Sequence, residues 1–225
     1  VRWYGLAYLA GMGLPFLCFR HTFKEKLKFT LDDGLNFLTY LAIGVIIGGR
    51  VGYGLFYDFA SWVENPLEIF AVWKGGMSYH GGAMGAICGA ILYAKQHQRP
   101  VFVLLDILAL GSTIGIGLGR IANFINGELY GRVTTSAWGM VFPYGGPHPR
   151  HPSQLYEAFL EGFLLFIILW GIRKWFKPPP AIIGSLYLIF YGIFRFILEY
   201  FREPDAHIGF VIRQFSMGQV LCFLE

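Results

Sequence analysis

Charge is what this sequence has least of. Of its 225 residues only 14% are Asp, Glu, Lys or Arg, whereas soluble globular domains carry about 25%. That shortage excludes an ordinary water-soluble domain and points to a membrane protein. Cysteine is also scarce. Cys18, Cys88 and Cys222 are scattered, each in an apolar stretch, and an odd set without spacing provides neither a disulfide framework nor a metal site. They read as small packing residues. No Gly-x-Ser-x-Gly elbow, internal repeat or secretory leader with a cleavage site occurs.

What fills the chain instead is apolar. Hydrophobic residues make up 55% and aromatics 18%, and they gather into runs that reach the roughly 20 residues needed to cross a bilayer core. Helices are the expected form, because an unclosed strand leaves its backbone polar groups unsatisfied in lipid. Spans are expected at about 3–19, 36–57, 79–94, 101–122, 156–172 and 182–201, with a partial one from about 209. The fold class is therefore an all-α polytopic membrane protein of about seven transmembrane helices with a small extracytoplasmic cap. Residues 1–225 read as one transmembrane domain, with 123–155 as the cap segment. The sequence opens at Val1 without Met and closes inside an apolar run, so both ends read as truncated. Glycine is abundant, at 30 residues, and clusters such as Gly48-Gly49 and Gly81-Gly82 suit close helix packing in a bilayer.

The net charge of +4 comes from short loops between apolar runs. Nine Lys or Arg residues lie in 20–35, 95–100 and 173–181, against four in the opposite loops. The asymmetry puts the first set in the cytoplasm and favours anionic lipid, not nucleic acid, as the partner.

Three arginines, Arg50, Arg120 and Arg195, fall inside the apolar runs toward their extracytoplasmic ends. A charge at membrane depth costs at least about 2.5 kcal/mol on insertion scales, so it normally faces a cavity, a partner or a substrate. Cations gathered at one depth imply an anionic ligand, and the guanidinium fork matches phosphate oxygens. Glu199 stands four residues after Arg195, and Arg202 falls on the same helix face. Glu157 and Glu161, also spaced by four, are possible partners for a cation. Arg120 is followed by Asn123, Asn126 and Glu128, an unusually polar run for a span end. His80, flanked by glycines, is the natural general base. Among the other histidines, His151 looks placed for work.

Two patterns fail. Gly115-Ile116-Gly117-Leu118-Gly119 has the wrong spacing for a nucleotide loop and sits inside a span. Asp32-Asp33-Gly34 is similar to the paired aspartates of metal-dependent phosphatidyltransferases, but the remaining aspartates of that pattern are missing. No metal and no cofactor are expected.

The segment Gly119-Arg120-Ile121-Ala122-Asn123-Phe124-Ile125-Asn126-Gly127-Glu128-Leu129-Tyr130-Gly131-Arg132 closely resembles the signature of bacterial prolipoprotein diacylglyceryl transferases. Trp3–Leu6, Gly48–Tyr53, Gly75–Gly82, Arg150–Glu157 and Phe194–Arg202 also resemble that family, in the family's order. The resemblance implies a seven-helix bacterial inner-membrane enzyme without a cofactor, its active site facing the extracytoplasmic side. Such an enzyme moves the diacylglyceryl group of phosphatidylglycerol to the lipobox cysteine in the signal peptide of a preprolipoprotein, and glycerol phosphate leaves. His80, Arg120, Arg195 and Glu199 are then the expected catalytic residues. Tyr4, Arg50, Asn123, Asn126, Glu128, Gly131, His151 and Arg202 are expected to bind substrate. The competing class is a non-enzymatic anionic-phospholipid transporter or binding protein, which needs the arginines but not a histidine together with the Asn/Glu cluster.

Overall fold

The structure is a computed structural model and describes residues 29–203, apart from Val72 and Lys74, together with 210–212 and 215–216. The expected span at 3–19 lies outside the described residues. The chain forms two compact units, one of residues 19–105 and one made of the remainder, and each is described by itself.

In the first unit, α1 (Leu31–Phe56) starts at a capping box. Asp33 N–H donates to the Thr30 hydroxyl at 3.1 Å and the Asp33 carboxylate accepts from Thr30 N–H at 2.9 Å. Such a reciprocal pair satisfies backbone donors that the first helical turn leaves open. The Asp32-Asp33 pair is thereby explained as a helix start, and it moves the observed start of α1 five residues ahead of the expected span. A short helix α2 (Phe59–Glu64) and a 3₁₀ turn (Pro66–Phe70) lead to α3 (Tyr79–Gln96), whose first turn is capped by Ser78.

α1 and α3 meet backbone to backbone. Gly44, Gly48 and Gly52 recur every fourth residue along α1, and Gly81, Gly85 and Gly89 do the same on α3. A Cβ placed on Gly48 would lie 2.2 Å from the Gly81 carbonyl oxygen, and one on Gly85 would lie 1.9 Å from that of Gly44. Glycine at these positions lets the two backbones touch, and dispersion between them replaces the hydrophobic force that lipid does not supply. At the far end of the pair, Tyr93 is fully buried among Phe29, Phe37 and Tyr40, and its hydroxyl donates to the Asp33 carbonyl at 3.1 Å.

The second unit takes α4 (Val101–Asn126) from Asp106 onward, then α5 (Ser153–Phe176) and α6 (Ile182–Leu198). α5 widens to π-helical geometry over Ala158–Leu164. Leu110, Leu165, Leu169, Ile183 and Leu198 fill the core, while Phe163, Ile167, Ile189 and Ile193 face outward as a lipid-exposed surface requires. Asp106 is buried, and its two carboxylate oxygens accept from Gly184 N–H at 2.8 Å and Ala181 N–H at 3.1 Å. It therefore caps α6 from a different helix.

Three of these helices, Leu31–Phe56, Val101–Asn126 and Ser153–Phe176, are long and apolar enough to cross a membrane, and Ile182–Leu198 is a shorter apolar helix. All four coincide with expected spans. Where a last span was expected from about 209, Phe210–Ile212 pairs antiparallel with Phe215–Ser216, and the rest lies outside the described residues. Between α4 and α5 the loop is ordered by short backbone bridges, Val133 and Met140 to Arg150 and Gly131 to Arg202.

Candidate active site

The second unit brings the C-terminal part of α4, the N-terminal part of α5 and the C-terminal end of α6 to one ionic centre. Its hub is Glu157, which has no exposed surface. A single carboxylate oxygen, Oε2, meets Arg120 Nε at 2.9 Å, Arg195 Nη1 at 3.2 Å and Arg202 Nη1 at 3.0 Å. Glu199 holds Arg195 from the same helix, with 3.1 Å between its Oε2 and Arg195 Nη2. Glu161 lies one helical turn beyond Glu157, 3.8 Å from Arg195 Nη1. Three guanidinium groups thus face three carboxyl groups, and the expected partnership of Glu157 and Glu161 with a cation is observed.

The centre is placed by helix ends. Glu157 is in the opening turns of α5 and Arg195 in the last turn of α6, where the helix dipole favours an anion and a cation respectively. The π-helical stretch begins immediately after Glu157 and contains Glu161, and single π turns often mark functional positions. Gly162, on the same stretch, backs onto Gly117 of α4 so closely that a Cβ there would lie 2.5 Å from the Gly117 Cα. That approach keeps Arg120 within reach of Glu157.

Arg120 engages Glu157 edge-on. Only its Nε is used, and neither Nη group makes a hydrogen bond among the described residues. With a fifth of its side chain exposed, Arg120 presents an open fork. Arg195, by contrast, has both Nη groups committed to carboxylates. Of the polar run after Arg120, Asn123 is buried at the end of α4, and Asn126 Nδ2 donates to Glu128 Oε1 at 2.9 Å.

The loop above the centre is pinned by arginines that sequence reasoning passed over. Arg150 Nε donates to the Gly145 carbonyl at 2.8 Å and Nη1 to that of Gly131 at 3.2 Å. Its guanidinium also pairs with Glu203 at 2.9 Å and lies over the Tyr130 ring. Arg132 Nε donates to the Arg202 carbonyl at 2.6 Å. Gly131 sits where a Cβ would be 2.3 Å from the Phe201 carbonyl oxygen and 2.9 Å from the His151 side chain, so its motif position is explained by close approach. His151 packs against Tyr156 and Phe201, and burial holds its imidazole below the ordinary histidine value. Gln154, absent from the expected site, is fully buried and donates to the Glu128 carbonyl at 2.7 Å.

In the first unit, His80 occupies the opening turn of α3 and is exposed, with an edge contact to the Tyr79 ring. Arg50 is buried on α1 and holds the loop that leads to α3. It donates to the carbonyls of Ile69 at 3.1 Å, Gly75 at 2.6 Å and Gly76 at 3.1 Å, and to that of Glu68. Ser78 N–H then donates to the Gly49 carbonyl at 2.8 Å. Gly76 has φ +75° and backs onto the Tyr53 ring, a turn that a side chain would strain. Tyr4 lies outside the described residues.

A polytopic α-helical membrane protein with a buried arginine–carboxylate centre at one end of its spans is the class that these features define. A family model described as "Prolipoprotein diacylglyceryl transferase" matches residues 1–225, and the chain belongs to that family. It is 50% identical over 223 residues to the phosphatidylglycerol–prolipoprotein diacylglyceryl transferase of Geobacter sulfurreducens, covering 99% of this chain and 85% of that protein. The protein of the same name from Photobacterium profundum is also 50% identical, over 98% of this chain and 83% of its own length. That from Oleidesulfovibrio alaskensis is 47% identical, covering 99% and 84%.

Proposed function

We propose that this chain transfers the diacylglyceryl group of phosphatidylglycerol to the lipobox cysteine of a preprolipoprotein, the first step of bacterial lipoprotein maturation. It acts in the inner membrane with its site toward the extracytoplasmic side, beneath the 123–155 segment as a cap, and the whole chain works as one catalytic domain of about seven spans. Family membership supports the reading, and the observation that carries it is the open fork of Arg120 beside a fully buried carboxylate. Such a fork suits two phosphate oxygens at once.

In the proposed reaction the cysteine thiolate attacks the glyceryl carbon that bears the phosphate. A C–S bond forms and the C–O bond breaks, its electron pair staying on the phosphate oxygen as glycerol phosphate leaves. Thiols are mostly protonated near neutrality, so a base is needed. His80 takes the thiol proton. Arg120 binds the phosphate and, with Arg195 and Arg202 behind it, offsets charge that grows as the bond breaks. Glu199 fixes the Arg195 rotamer. Asn123, Asn126 and Glu128 orient the headgroup, with Gly131 and His151 shaping the wall above and Tyr4 contributing from the N-terminal segment. Arg50 serves by fixing the backbone that leads to His80.

The test is mass spectrometry of a lipobox peptide incubated with pure protein and phosphatidylglycerol. A diacylglyceryl mass gain is expected, and its absence favours a lipid-binding protein without transfer activity. Arg120→Lys, which keeps the charge and loses the fork, should reduce kcat/KM about 100-fold; near-full activity rules out bidentate phosphate binding. His80→Gln should reduce turnover by about 10² to 10⁴, and a variant with normal turnover would remove His80 as the base.

A further inference from the structure

Gln154, Glu157 and Glu161 are spaced by three and four residues, which aligns them along one face of α5. All three are fully buried. Four acceptor oxygens on this stripe, Gln154 Oε1, Glu157 Oε1 and both oxygens of Glu161, receive no hydrogen bond among the described residues. Buried acceptors almost always find a donor, and leaving one without is costly. The donors around them are aimed elsewhere. Arg195 Nη1 bonds Glu157 Oε2 and stays 3.8 Å from Glu161. The Gln154 amide nitrogen is committed to the Glu128 carbonyl, which fixes which side of the amide its oxygen takes.

The stripe therefore offers acceptors and no donors, directly beside arginines that offer donors. A ligand that answers both is a phosphodiester with hydroxyl groups a few atoms beyond the phosphate. A headgroup with an additional carboxylate or phosphate would instead meet three carboxyl groups. Resting on the reading above, we propose that Gln154 and Glu161 accept hydrogen bonds from the terminal hydroxyls of the glycerol headgroup. The stripe thereby selects phosphatidylglycerol from other phosphodiester lipids, while Arg120 holds the phosphate common to all of them.

The experiment compares phosphatidylglycerol with phosphatidylpropanol, the same phosphodiester without headgroup hydroxyls, as donors to a lipobox peptide in mixed micelles. Wild-type protein should prefer phosphatidylglycerol by about tenfold or more in kcat/KM. Glu161→Met removes both acceptors at similar volume, and with them one of the carboxylates beside Arg195, whose pairing with Glu157 and Glu199 remains. It should lower transfer from both lipids, and the preference for phosphatidylglycerol over phosphatidylpropanol in kcat/KM should fall about tenfold. Gln154→Met, read the same way, keeps the test decisive where Glu161→Met does not fold. Equal losses on both lipids would mean a structural role and overturn the proposal. No loss on either, as when interior water satisfies these atoms, overturns it too, as does a wild-type protein that does not distinguish the lipids. If the wild type transfers from neither lipid, the transferase reading itself fails.

Discussion

Replacing Glu157 by alanine should destabilise the protein by about 3–5 kcal/mol and abolish detectable transfer, because three arginines lose the one oxygen they share. The magnitude follows from what remains. Glu199 and Glu161 still face Arg195, but Arg120 Nε is left without an acceptor, and an unpaired buried charge is far costlier than a buried pair is beneficial. Glu157→Gln separates charge from shape. Its amide oxygen can still accept from one or two guanidinium groups, so the fold should survive with a smaller loss, while the realigned Arg120 fork lowers activity at least about 100-fold. Thermal unfolding in detergent and the peptide assay together check this. A Glu157→Gln protein with wild-type turnover would show that the arginines need no shared anchor.

Much of this centre was legible one residue at a time and illegible as an assembly. The cost of a charge at membrane depth picks out Arg120 and Arg195, and spacing alone pairs Arg195 with Glu199 and aligns Arg202. The same cost applies to Glu157, which sits deeper in protein than any of them. Yet its partners come from positions 37 residues before it and 38 and 45 after it, and no local pattern encodes separations of that kind. Arg50 shows the reverse. Its burial was readable, but its partners are backbone carbonyls of the Glu68–Gly76 loop, and carbonyls carry no side-chain signature. Gln154 was passed over because a neutral amide raises no alarm in a sequence. It becomes conspicuous only when its oxygen is found buried without a donor.

The span pattern was more readable because long apolar runs report on the solvent directly. Observed ends differ where specific polar chemistry decides them. The Thr30–Asp33 box extends α1 toward the N-terminus. Adjacent glycines drew the eye at 48–49 and 81–82, yet contact follows every fourth residue instead. Four residues carry a helix just past one turn, so only that spacing keeps the glycines on the facing side.

Gly85→Ala carries this point to its strongest consequence. Alanine is the better helix former by about 1 kcal/mol, so an α3 that met only lipid at this position would gain stability. Gly85, however, faces the Gly44 carbonyl, and its new Cβ would lie 1.9 Å from that oxygen and 2.7 Å from the carbonyl carbon. The obstacle is backbone on both sides, so no rotamer change relieves it, and α1 and α3 must separate along their whole contact. Overpacking of this kind typically costs 1–3 kcal/mol and more where nothing can yield, so a net loss of about 3 kcal/mol is expected, with a lower unfolding midpoint in detergent. Activity should fall with it, since α3 carries His80 in its first turn. Gly82→Ala is the matched control. A Cβ there meets Val45 at an ordinary 3.7 Å, so propensity should dominate and stability should hold or rise. If both substitutions stabilise the protein, the backbone contact between α1 and α3 is not what holds this unit together.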